Sequence, residues 1–127
     1  MAILGLGTDL ARTSRFTRFL EARKTALLER LFTADERAYA LAKADPAPHL
    51  AARFAAKEAG MKAFGLGWRD GLTWHDFEVV RDPLGRPDLV LSGRAAQLAA
   101  ARGVSAVHLS YSQDGDYAVA TVILEGA

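Results

Sequence analysis

The sequence contains no cysteine. Disulfides, thiolate metal sites and cysteine nucleophiles are thereby excluded, and the composition is compatible with a reducing cytosol. Charge of one sign is scarce as well: sixteen Lys and Arg against fifteen Asp and Glu leave a formal net charge of +1. The whole-molecule field therefore points to neither a nucleic-acid nor a membrane partner, and electrostatic arguments must rest on local patterns. No run approaches the roughly 20 apolar residues of a membrane span. The first seven residues are apolar but lack a basic leader and meet Asp9 too early for a secretory signal, so a cytoplasmic protein is expected. A phosphate-binding loop signature is missing. Gly5-Leu6-Gly7 does not open a dinucleotide fingerprint, because Leu10 stands where the third glycine belongs and no βαβ unit with an acidic residue follows. Repeats and low-complexity tracts are absent.

What is present is an ordinary globular balance: 127 residues, half of them hydrophobic and about a quarter charged. That length predicts one domain over 1–127. A chain this short buries only roughly two-thirds of its unfolded surface, so association with further copies is a natural extra source of stability. An apolar run with two glycines predicts a strand over 3–10. A helix over 12–21 follows, with Phe16, Phe19 and Leu20 on one face and Arg12, Arg15 and Arg18 on another. Thr33 and Glu36 form a capping box that starts a helix running to about residue 44. Asp45-Pro46-Ala47-Pro48 reads as its breaker, with the next helix over 48–64 and Gly65 and Gly67 ending it. Alternating residues from Phe77 and a return through Leu89 bracket the turn-rich 82–87, and an alanine-rich helix over 93–102 follows. Strands over 104–112 and 117–124 flank Asp114-Gly115, a hairpin signal. The class is α+β, a single domain with an antiparallel sheet against helices.

Glu58 is the sharpest chemical feature. It shares a helical stripe with Leu50, Phe54, Met61 and Gly65, and a carboxylate there is costly unless paired, hydrogen-bonded or metal-bound. Lys62, four residues on, offers an ordinary intrahelical pair. Asp9, at the end of an apolar strand, either caps the next helix or joins a second carboxylate to hold Mg²⁺, which takes one or two carboxylates plus waters and substrate phosphates. Spacing alone leaves both choices open. His49 reads as a solvated loop residue. His108, with Ser110 and Ser112, lies on the polar face of its strand and faces either solvent or a phosphate.

Gly5-Leu6-Gly7-Thr8-Asp9-Leu10, Arg53-Phe54-Ala55-Ala56-Lys57-Glu58-Ala59, Lys62-Ala63-Phe64-Gly65 and the segment 118–125 together resemble the holo-acyl-carrier-protein synthases, the short bacterial class of 4′-phosphopantetheinyl transferases. The resemblance spans essentially the whole chain. It implies transfer of phosphopantetheine from coenzyme A to a serine of apo acyl carrier protein, for fatty acid biosynthesis, with release of adenosine 3′,5′-bisphosphate. It further implies Asp9 and Glu58 as Mg²⁺ ligands, Lys62 on the coenzyme A phosphates, and Arg53 and His108 near the adenosine end. Gly85, Arg86 and Pro87 would border the adenine, with Gly65 beside the same ligand. Arg15 and its neighbour Arg18 would face the acidic carrier. Homotrimers with sites between subunits are the family's habit. The serine proton would go to Glu58 itself or to a water ordered beside Asp9 and Glu58. Many relatives carry a second histidine soon after the His-x-Ser segment; here Ser112-Gln113-Asp114 stands in its place. A synthase-type carrier domain, or a nucleotide-binding module without catalysis, are the rival readings.

Overall fold

The computed structural model describes residues 1–127, the side chain of Arg69 excepted. Strand β1 (Ala2–Arg12) leads into helices α1 (Thr13–Glu21), α2 (Thr25–Leu31), α3 (Ala34–Leu41) and α4 (Pro46–Ala63). Two single 3₁₀ turns, Trp68–Asp70 and Trp74–Asp76, connect to strands β2 (Phe77–Arg81) and β3 (Pro87–Leu91). Helix α5 (Gly93–Ala101) and strands β4 (Val104–Asp114) and β5 (Tyr117–Gly126) complete the chain. The sheet order is β1-β5-β4, all antiparallel, and β2-β3 forms a separate hairpin.

The period of two divides the large sheet cleanly. Gly7 and Ala11 of β1 and Ala118, Ala120, Val122 and Leu124 of β5 turn inward and are buried. Leu6 and Leu10 of β1, with Tyr117 and Val119 of β5, turn outward and are exposed. Helix α4 lies across the inner face. It is buried on nearly every side, with Ala51, Ala52, Ala55, Ala56 and Ala59 letting sheet and helices close around it. Helix α1 packs on it through Phe16, whose ring lies 5.3 Å from that of Phe54. The start of α1 is held from far along the chain: the Asp116 carboxylate accepts from the backbone N–H and the hydroxyl of Ser14, both at 2.8 Å.

The capping box is present as read. The Thr33 hydroxyl accepts from Glu36 N–H, and Glu36 Oε1 accepts from Thr33 N–H at 2.8 Å. Two helix boundaries and one whole helix differ from expectation. Helix α3 ends at Leu41, and Pro46 starts α4 rather than breaking a helix. Asp45 accepts from Ala47 N–H, and proline suits the first helical position, where no partner for its nitrogen is needed. His49 is accordingly helical and half-buried, edge-on to Tyr39. The seven-residue α2 was not foreseen; it stands by packing Leu28 and Leu31 rather than by length.

Candidate active site

Gly5 and Gly7 set the site. A Cβ on Gly5 would meet Ala63 O at 2.1 Å, and one on Gly7 would meet Ala59 O at 2.0 Å. Strand β1 therefore lies flush on α4 at positions where only hydrogen fits. Asp9, two residues beyond Gly7, projects on the same strand face and enters a cleft of about 490 Å³. Glu58 and Phe54 of α4, Arg15 and Phe19 of α1, Arg30 of α2 and Trp74 also line it.

From outside the cleft lining, Lys62 Nζ donates to Asp9 Oδ1 at 2.7 Å, with the lysine side chain 49 % and the aspartate 16 % exposed. Lys62 is thus partnered by Asp9, and neither the intrahelical Glu58–Lys62 pair nor an Asp9 helix cap forms. The hydrogen bond it donates to Asp9 holds the Lys62 ammonium above its usual range, against the opposing effect of burial. Glu58 is half-buried, and its Oε1 accepts from Trp68 Nε1 at 3.4 Å. Burial pushes its carboxyl up, and the nearby Asp9 charge adds to that; the indole hydrogen bond and the charges of Lys62 and Arg15 pull the other way. The Arg15 guanidinium sits 5.1 Å over the Phe54 ring and 5.6 Å over Phe19, at the cleft wall. Arg18 and Arg12 are exposed on the same helix approach.

A second cluster forms elsewhere. Arg53 is buried on α4, with its guanidinium 4.3 Å over Tyr39 and Nη1 donating to His49 O at 3.2 Å. Among the described residues its Nε has no hydrogen-bond partner. Arg81 lies over the same tyrosine at 5.2 Å and donates to Gly85 O, which draws in the turn of Gly85, Arg86 and Pro87. Gly85 adopts φ +85°, and Asp82 Oδ1 accepts from Arg86 N–H at 2.8 Å. A hollow of about 310 Å³ opens between Arg53, Arg81 and Tyr39. His49 registers the field there: burial, then the charges of Arg53, Lys43 and Arg81, lower its pKa. Gly65, at φ +71° after α4, has open space where a side chain would be. His108 stands apart, exposed on the outward sheet face, 3.2 Å from Glu125 Oε1.

The structure thus brings together Asp9, Glu58, Lys62 and Arg15, and separately Arg53 with the 85–87 turn. His108 lies on the sheet face opposite Asp9. The match to known families decides what such a division belongs to: residues 5–122 match the model of the 4′-phosphopantetheinyl transferase superfamily. The chain belongs to this family.

Within the transferase superfamily the chain is 63 % identical to a holo-acyl-carrier-protein synthase of Syntrophotalea carbinolica, over 96 % of this chain and 95 % of that protein. A solved holo-acyl-carrier-protein synthase of Neisseria meningitidis superposes with a TM-score of 0.86 at 34 % identity, covering 98 % and 99 % of the two chains. One of Bacillus anthracis, in complex with coenzyme A (3′,5′-ADP), superposes with a TM-score of 0.80 at 34 % identity, covering 98 % of each.

Several residues around the cleft escaped the sequence reading. Trp68 and Trp74 stack at 3.9 Å between centroids, and Trp74 stacks on Phe54 at 5.0 Å, forming an aromatic wall beside Glu58. Arg30 adds a second cation to that wall. Lys57 and Glu36 form a wholly buried ion pair at 2.7 Å behind it. The spacing could have found Lys57: it lies on the Leu50, Phe54, Met61 stripe more centrally than Glu58 does.

Proposed function

We propose that this chain transfers the 4′-phosphopantetheine arm of coenzyme A to a serine hydroxyl of apo acyl carrier protein, in fatty acid biosynthesis. The observation that carries this reading is the convergence of Asp9 and Glu58 in one cleft, with Lys62 bonded to Asp9, in a chain that belongs to the transferase superfamily. The reaction joins the serine oxygen to the β-phosphorus of coenzyme A and breaks that phosphorus's bond to the bridging oxygen. Adenosine 3′,5′-bisphosphate leaves.

Two carboxylates from separate elements, Glu58 half-buried with its carboxyl raised by burial and then by the Asp9 charge, offer a pair of oxygen donors. They suit Mg²⁺, a hard cation that needs only one or two carboxylates when substrate phosphates and water supply the rest. Asp9 and Glu58 would hold it; bound there, it supplies charge neutralisation on the pyrophosphate. Glu58, or a water ordered beside Asp9 and Glu58, takes the serine proton. Lys62 exchanges its exposed Asp9 partner for a phosphate oxygen, a change that costs little because exposed ion pairs contribute only about 0–1 kcal/mol. Arg53 receives the adenosine 3′-phosphate, where its buried Nε and the cationic surroundings of His49 favour an anion. The turn of Gly85, Arg86 and Pro87 borders the adenine, and Gly65 leaves the surface beside Lys62 open. Arg15 and Arg18 meet the acidic carrier.

The chain works as one 1–127 domain within a homotrimer, in the cytoplasm. The exposed apolar face of Ile3, Leu6, Leu10 and Val119 supports association. So does the placement of His108 across the sheet from Asp9, since a site using both takes the histidine from a neighbouring copy. Among the described residues no helix is long and apolar enough to cross a membrane.

Intact-mass spectrometry of apo acyl carrier protein after incubation with the chain, coenzyme A and Mg²⁺ tests the reading. A gain of one phosphopantetheine, lost with chelator and with Glu58→Gln, is expected. Gain only on synthase-type carrier domains would move the carrier class. Coenzyme A binding with no gain on any carrier would overturn catalysis in favour of a binding module.

A further inference from the structure

Lys57 precedes the proposed metal ligand Glu58 by one residue, yet successive helix residues point about 100° apart, and its side chain is wholly buried. An ammonium has three donors. All three are used: Glu36 Oε1 at 2.7 Å, Trp74 O at 3.0 Å and Phe77 O. Both Glu36 oxygens are bonded as well, since Oε1 also accepts from Thr33 N–H and Oε2 accepts from Val79 N–H at 2.9 Å. The pair therefore pins α4, the start of α3 and the backbone of 74–79 to one another. That backbone carries Trp74, which stacks on Trp68, whose Nε1 donates to Glu58 Oε1.

We propose that Lys57, with Glu36, is a positioning residue for the transfer site: it fixes the backbone at Trp74 and Phe77 so that the Trp74–Trp68 wall holds the Glu58 carboxylate in its reactive orientation, and it does not itself touch phosphate. This rests on Glu58 being the essential carboxylate of the proposed reaction. A misplacement of about 1 Å at a reacting group can cost on the order of 100-fold in rate, so loosening the wall reaches the chemistry without any lost ligand contact.

The chain has two tryptophans, and both are in this wall. Tryptophan emission excited beyond the absorption of the three tyrosines, and the exciton couplet of two stacked indoles read on top of the backbone dichroism, consequently report on it. Lys57→Met, and the charge-balanced Lys57→Met with Glu36→Gln, would be measured for both optical signals, for kcat and KM, and for coenzyme A affinity by calorimetry. The expected result is a weakened couplet and red-shifted emission, with kcat lower by roughly 10- to 100-fold and coenzyme A affinity within about threefold of wild type. Weakened coenzyme A binding with an intact couplet would overturn the proposal, because it would make Lys57 a phosphate contact. Unchanged kcat in a folded variant would overturn it equally. Trp68→Phe, which keeps an aromatic ring and loses the N–H, guards against variants that fail to fold: it should lower kcat with little change in affinity, and a wild-type kcat would sink the link from the wall to Glu58. A wild-type chain that transfers nothing to any carrier would instead sink the transferase reading, and the optical signals would still decide whether Lys57 holds the wall.

Discussion

Five residues apart on α4, two lysines each meet a carboxylate at 2.7 Å, and the two pairs have opposite characters. Lys57 and Glu36 are wholly buried, with every lysine donor and both carboxylate oxygens hydrogen-bonded, and they join three segments of the fold. Asp9 lines a cleft and binds Lys62 at its edge, with half the lysine in solvent. Equal distance therefore says nothing about equal worth. A buried charge whose partner is removed has no solvent to turn to, whereas an exposed one is rehydrated at once. The first pair can only be structure; the second can release its lysine to a ligand.

The largest effect should come from breaking the buried pair. Lys57→Met leaves Glu36 buried without its cation and should cost about 3–5 kcal/mol in urea unfolding; adding Glu36→Gln should return a large part of that loss. A cost below about 1 kcal/mol would erase the contrast between the pairs. Next comes Gly7→Ala, whose methyl would press on Ala59 O. It should destabilise by about 1–3 kcal/mol and reduce kcat/KM by moving Asp9 relative to Glu58. Lys62→Met sharpens the comparison from the other side: stability should shift by less than about 1 kcal/mol, while transfer falls about 100-fold through loss of one charge-stabilising donor.

Glu58→Gln should give the smallest stability change, and of opposite sign. An acid whose carboxyl is raised in the folded state binds its proton more tightly there than in the unfolded chain, so stability falls as pH rises through that range. The cost is fully present above the raised folded value. Metal-free Glu58→Gln should accordingly melt slightly higher than wild type at pH 7. The advantage should vanish as pH drops below the ordinary glutamate value of 4.5. A variant that melts lower at pH 7 would show that the Glu58 charge is compensated in the folded chain.

The same two pairs show what was legible in the sequence. Local signals were: the Thr33–Glu36 box, the alternation that turns His108 outward, and the hairpin at Gly115 all follow from neighbours in the chain. Partners between distant segments were not. Glu36 was read as a capping residue and is one, but nothing in its spacing announces Lys57, 21 residues later in another helix. Lys62 has Glu58 at the favourable helical offset and binds Asp9 instead, because the two glycines bring β1 close enough to compete. The meeting of Asp9 and Glu58 was likewise implied by family resemblance and not by periodicity. Pro46 misled because a helix start and a helix stop use the same residue, and only the position of Asp45 tells them apart.

The pairing of β1 with β5 has a consequence in time. Asp9 stands opposite Ala120, and the Ser14 end of α1 is held by Asp116. One wall of the cleft is thus synthesised well before the segment that braces it. At about 5–20 residues per second, the nascent β1 waits roughly 6–24 s for its partner. Until then its apolar, glycine-bearing edge is free to meet chaperones or other nascent chains, and the carboxylates cannot be set in place one at a time as the ribosome proceeds.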